Sequence, residues 1–166
     1  MYKINDTILY GTQGACKIVA VEEKKICQKT CSYYVLQPLD GSKCTIYAPV
    51  GNEEIEKKMR RLLSAEEIYN IIDSMPDAEC TWIEDEKQRK ERYKQIISGG
   101  DRAELVRLIK EIYIHKQELK DKRKKLHVSD EKFFKEAEKM LYNEFAAVLN
   151  IQPNEVISFI TDKIGK

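Results

Sequence analysis

The pattern of apolar residues changes period near residue 50, and that change limits the folds open to the chain more than any other feature. Before it, short β-rich runs alternate with tight turns. Thr7–Tyr10 stops at Gly11-Thr12-Gln13-Gly14, Ala15–Val21 resumes, and Ser32–Leu36 ends near the turn dipeptide Asp40-Gly41. Cys44–Ala48 follows and is closed by Pro49. Short strands at this density predict a small, strongly bent sheet or SH3-like barrel. After Gly51 the period becomes helical.

In the second part, Glu53–Leu63 carries Ile55, Met59, Leu62 and Leu63 on one side of a charged helical segment. Ser64-Ala65-Glu66-Glu67 has the spacing of a capping box, so a helix starts there and ends before Pro76. Helical spacing resumes after Trp82, runs to Ile97 and breaks at Ser98-Gly99-Gly100. Asp101 caps the next helix, whose stripe is Leu105, Leu108, Ile109, Ile112 and Tyr113. Ser129 is the expected cap of a helix carrying Phe133, Phe134, Ala137, Leu141 and Phe145, and Pro153 opens a last short helix. The fold class is therefore α+β, a small N-terminal SH3-like β-barrel followed by a compact all-α domain. The expected division is 1–53 for the sheet, 54–63 as a connecting segment and 64–166 for the helices.

Charge is distributed unevenly. The net charge of +1 hides a basic middle stretch. Residues 82–125 hold 14 basic and 9 acidic side chains, against 10 and 12 in residues 1–81 and 5 and 7 in residues 126–166. A local basic stretch points to local phosphate contact rather than to a whole surface that coats nucleic acid. The single tryptophan, Trp82, opens that stretch. A flat apolar ring beside basic side chains can stack on bases or wedge between them, although most tryptophans serve in cores. Lys87, Arg89, Lys90, Arg92 and Lys94 follow, with Arg89 and Lys90 expected to return to the Trp82 face after about two helical turns. The run Lys122–Lys125 is a second basic patch or simply a solvated helix end.

Catalysis finds little support. His115 and His127 are the only histidines and read as helix-face residues, and Gly99-Gly100 is too short for a phosphate loop. The expectation is a non-enzymatic protein without cofactor, metal or small-molecule substrate. Cys27-x3-Cys31 lacks a second pair at zinc spacing, and five irregularly placed cysteines suit reduced thiols in a cytoplasmic protein. No apolar run approaches the ~20 residues of a membrane span.

Taken in order, these segments resemble the CarD-like bacterial transcription regulators over nearly the whole chain. Ile4-Asn5-Asp6-Thr7-Ile8-Leu9-Tyr10 followed by Gly14 is similar to the family's opening, and Tyr33-Tyr34-Val35-Leu36 and Ile46-Tyr47-Ala48-Pro49 to its next strands. Trp82, Arg89, Tyr93 and Ser98-Gly99-Gly100-Asp101 resemble the stretch around its tryptophan. Leu105-Val106-Arg107, Ser129 and Ala137 to Glu144 match its last helices. Three departures stand out: Gly11-Thr12-Gln13 replaces a Pro-containing turn, Tyr47 stands where many relatives carry Arg, and Gly100 is an added glycine.

The resemblance implies an N-terminal Tudor-like domain, shared with the transcription-repair coupling factor, that docks on the RNA polymerase β subunit. It also implies a helical domain that reaches promoter DNA at the upstream edge of the bubble, with Trp82 as a minor-groove wedge stabilising the open complex. DNA contact would be weak and largely independent of sequence. Tyr33, Tyr34, Ile46 and Tyr47 are the expected polymerase-facing edge residues, split between core and surface by strand alternation, with Lys24 and Lys25 adding charge. The alternative is an interaction module that docks on polymerase without touching DNA and buries Trp82 in the bundle.

Overall fold

The computed structural model describes residues 2–26 and 29–165. β1 (Thr7–Tyr10), β2 (Ala15–Ile26), β3 (Lys29–Pro38) and β4 (Ile46–Pro49) form a meander, with Asp40 accepting the Ser42 backbone N–H at 3.0 Å in the β3–β4 turn. After a single helical turn, α1 (Glu53–Glu56), the chain adds β5 (Met59–Arg61) on the far side of β1. The strand order is β4-β3-β2-β1-β5, antiparallel throughout. The register shifts between Ile18 and Ala20, so Val19 is an extra residue that bends the long β2–β3 ribbon. No ladder joins β4 to β5, and the sheet is open rather than the closed barrel expected from the strand pattern.

The strand β5 also corrects the helical reading of Glu53–Leu63. A continuous helix would have placed Ile55, Met59, Leu62 and Leu63 on one face. The chain instead divides three of them between two cores. Met59 is buried among Ile8, Cys16, Ile18, Tyr34, Leu36 and Ala48, with Ile55 against the same cluster, whereas Leu63 packs on the helices. Burying a side chain of this size stabilises by roughly 1.5–3 kcal/mol, more than the helix propensity of a few charged residues can offset. The expected connecting segment thus contributes a strand to the sheet.

The helical half comprises α2 (Ala65–Ser74), α3 (Glu86–Gly99), α4 (Arg102–Asp121), α5 (Val128–Leu149) and α6 (Val156–Ile164). The capping box of α2 is complete: Glu67 N donates to Ser64 Oγ at 3.2 Å and Ser64 N to Glu67 Oε2 at 2.8 Å. Asp85 and Asp101 cap α3 and α4 through the Gln88 and Glu104 amides. The cap of α5 lies two residues before the expected one. His127 occupies that position, its Nδ1 accepting from the Ser129 backbone at 3.3 Å. Pro153 opens a 3-10 turn that leads into α6. Gly100 terminates α3 at φ +62°, a left-handed conformation that calls for glycine, and the end of the Arg60 side chain lies over it.

α5 runs through the middle of the bundle. One side of it packs with α2, α6 and Val106 through Leu141 and Phe145. The other packs with α3 and α4 through Ala137, against Tyr93, Leu105, Leu108 and Ile112. The sheet meets the bundle where α5 lies against β2 and the Gly11–Gln13 turn, where Lys139 of α5 stands 3.7 Å from Asp40, and through polar contacts at β5. Arg102 donates to Glu144 at 2.8 and 3.1 Å and to the Arg61 carbonyl at 3.1 Å, and Glu144 also accepts the Leu63 backbone N–H at 3.0 Å. Among the described residues, no helix is long and apolar enough to cross a membrane.

Candidate nucleic-acid interface

Trp82 does not belong to α3. It lies in an irregular segment between α2 and the Asp85 cap, so the helical arithmetic that brought Arg89 and Lys90 back to its face does not apply. The indole is half-buried against the α3–α4–α5 core. His115 of α4 stacks on it, with ring centroids 3.6 Å apart and planes 15° from parallel. The Arg89 guanidinium carbon stands 4.4 Å from the indole centroid.

Arg89 is not a free phosphate ligand. It is buried and paired with buried Asp130 of α5, its Nε and Nη2 donating at 3.1 and 2.9 Å. Its Nη1 donates to the carbonyls of Ile83 and Glu84, at 2.7 and 3.2 Å, immediately after Trp82. Four of the five guanidinium N–H groups thus donate inside the protein. Position 89 faces inward because it shares the α3 face of Tyr93, Ile96 and Ile97.

A second buried pair supports the same segment. Tyr93 donates its hydroxyl to Glu111 at 2.7 Å. Burial holds the Glu111 carboxyl above its ordinary range, while bonds from Tyr93 and the Thr81 backbone pull it back down. Burial likewise pushes the Tyr93 hydroxyl upward.

The remaining basic residues of α3 are outside. Lys87 and Lys94 are exposed, and Lys90 and Arg92 are half-buried. Lys90 bridges Glu86 on its own helix. The Arg92 charge acts on both Cys80 and Glu111, which sets it beside the segment that carries Trp82. Lys122–Lys125 are exposed just beyond the end of α4.

On the sheet, β4 is an edge strand that pairs only with β3. Tyr47 lies on the outer face, 43% exposed, with Lys24 Nζ 3.2 Å from its ring centroid. Tyr33 is half-buried and Lys25 exposed. Tyr34 points inward and is 3% exposed, in edge-to-face contact with Tyr2, which removes it from the surface set. Ile46 also packs against the sheet core. Lys24 and Lys25 sit in β2.

Sequence reasoning missed Asp130, Glu111, Glu144 and the stacking role of His115. A signal was present. Each of the three carboxylates falls at a core spacing: Asp130 three residues before Phe133, Glu111 three after Leu108, Glu144 three after Leu141. An acid in an apolar stripe implies a buried partner. Cys27 lies outside the described residues, and among the described ones no group of three His, Cys, Asp or Glu is arranged to hold a metal.

Comparison with known proteins places these features in a family. Residues 2–63 match the family model described as the CarD-like/TRCF RID domain, and residues 70–161 match that of the CarD C-terminal domain. A relative from Bacillus subtilis (strain 168), named "Putative transcription factor YdeB", is 24% identical over 159 residues, covering 96% of this chain and 99% of its own.

Proposed function

The chain belongs to the CarD-like family, and from that premise we propose that it is a non-enzymatic transcription regulator that docks on RNA polymerase and contacts promoter DNA. In this reading the sheet, taken as Tudor-like, docks on the β subunit through β4 by strand addition. Tyr33, Tyr47, Lys24 and Lys25 supply the contact surface. The Trp82 segment then meets the upstream edge of the bubble and hinders its collapse.

One observation carries the DNA half of this reading. The only tryptophan is anchored yet half-exposed beside a helix that turns Lys87 and Lys94 outward. Such lysines hold phosphate without reading sequence. An aromatic contact with a base is worth ~1–3 kcal/mol, and ~1.4 kcal/mol is tenfold in an equilibrium. One ring can therefore shift a closed–open balance by about one order of magnitude. The four basic side chains of α3 other than buried Arg89 give weak binding by free protein, and docking on polymerase raises the local concentration of the contact.

The test is open-complex lifetime with cognate polymerase, wild type against Trp82→Ala, with polymerase affinity measured alongside. The reading expects a longer lifetime with wild type, lost in the variant at unchanged affinity. An unchanged lifetime in a folded variant would leave a polymerase-docking module without DNA contact. Tyr33→Glu with Tyr47→Glu should abolish polymerase binding while the helices stay folded. Survival of binding would move the docking surface elsewhere. Free protein should lose its DNA affinity as salt rises, because phosphate contacts release counterions.

A further inference from the structure

We propose that His115 and the Arg89–Asp130 pair are positioning residues that present the Trp82 indole edge-on. The idea rests on the DNA-contact reading above and goes beyond it by naming what aims the ring. His115 lies parallel to the indole at 3.6 Å and so fills one face. The guanidinium, at 4.4 Å from the same centroid, is too close to share that face with a stacked imidazole and covers the other. Asp130 fixes the guanidinium, and the guanidinium fixes the carbonyls of Ile83 and Glu84. Ring and backbone at this segment are thus held by one side chain.

Two consequences follow for the contact with DNA. A base cannot stack flat on an indole whose faces are occupied, so the edge is what enters between or beside bases, the geometry of a wedge. A ring already ordered also avoids most of the entropy loss on binding. For one side chain that loss corresponds to about two- to tenfold in affinity.

Trp82 is the only tryptophan, so its fluorescence reports on its own cage. His115 is half-exposed, which makes His115→Ala tolerable. That variant should raise quenching of Trp82 by acrylamide, lower its anisotropy, and shorten open-complex lifetime about two- to tenfold at unchanged polymerase affinity. His115→Phe, which restores a flat ring, should recover all three readouts. The double variant Arg89→Met/Asp130→Leu removes both buried charges together, keeps the fold, and should free the ring in the same way.

Folded variants with unchanged quenching and anisotropy would overturn the proposal. So would a mobilised ring with full lifetime when Trp82→Ala shortens it. If Trp82→Ala itself leaves lifetime unchanged, the DNA-contact reading fails, and quenching and anisotropy alone decide whether these residues hold the ring.

Discussion

Two stretches of irregular backbone lie against the bundle, the Trp82 segment and the turn that leaves β5, and each is fixed by an arginine–carboxylate pair from the helices. They differ in access to water. Arg89 and Asp130 have side chains 7% and 1% exposed, whereas Arg102 and Glu144 are at 19% and 2%. In the first pair the arginine holds the loop carbonyls. In the second the labour is divided, the carboxylate taking the Leu63 amide and the arginine the Arg61 carbonyl. Both charges of the first pair depend on each other, while in the second the arginine can turn to solvent. A helix can thus rigidify a loop it does not cover by lending it one charged group, and the cost of losing that group depends on what is left dry.

The largest effect should come from Asp130→Ala. It leaves the Arg89 guanidinium buried and unpaired, a loss of about 3–5 kcal/mol in stability. Denaturant titration measures it, and a loss under half of that would mean Arg89 escapes to water. Glu144→Ala should cost less, about 2–3 kcal/mol, since Arg102 can rehydrate. Finding the two equal would erase the contrast between the pairs.

Ser64→Ala, which removes only the cap of α2 beside the second pair, should cost about 1 kcal/mol. Its thermal or denaturant midpoint separates the contribution of the turn from that of the carboxylate. The last test is a slope. Burial raises the folded-state pKa of Glu111 above the ordinary 4.5. Such a group contributes stability below its unfolded value and loses it as pH rises through the folded one. Glu111→Gln keeps an acceptor for Tyr93 and cannot titrate, so it should gain on wild type as pH climbs from the carboxylate range to neutrality. Parallel stability profiles for the two proteins would show that Glu111 pays no such penalty.

The sequence made local features readable and left long-range ones hidden. Four strands and the helices after Ser64 follow from period and turn chemistry, and the capping box and the Asp101 cap stand where their motifs predict. β5 was hidden because its three residues satisfy a helical stripe as well as a strand, and only the sheet core decides for Met59. Sheet closure also depends on hydrogen bonds between segments far apart in the chain. At the candidate site, Trp82 and the outward lysines of α3 were legible by residue type. Arg89 was misread because its charge suggested phosphate, when its place among Tyr93, Ile96 and Ile97 assigned it to the interior. His115 could not be paired with Trp82 without knowing that α4 packs beside the loop.

The contacts around Glu144 reach further than stability. If β4 and Trp82 grip two surfaces as proposed, the protein acts as a caliper, and the bonds from α4 and α5 to residues 61 and 63 help set how far its jaws stand apart. One base pair of duplex advances ~3.4 Å, so small changes in that junction would be felt as a change of phase along the promoter. Glycine insertions between Leu62 and Ser64, which loosen the Leu63–Glu144 bond, would turn a fixed gauge into a slacker one.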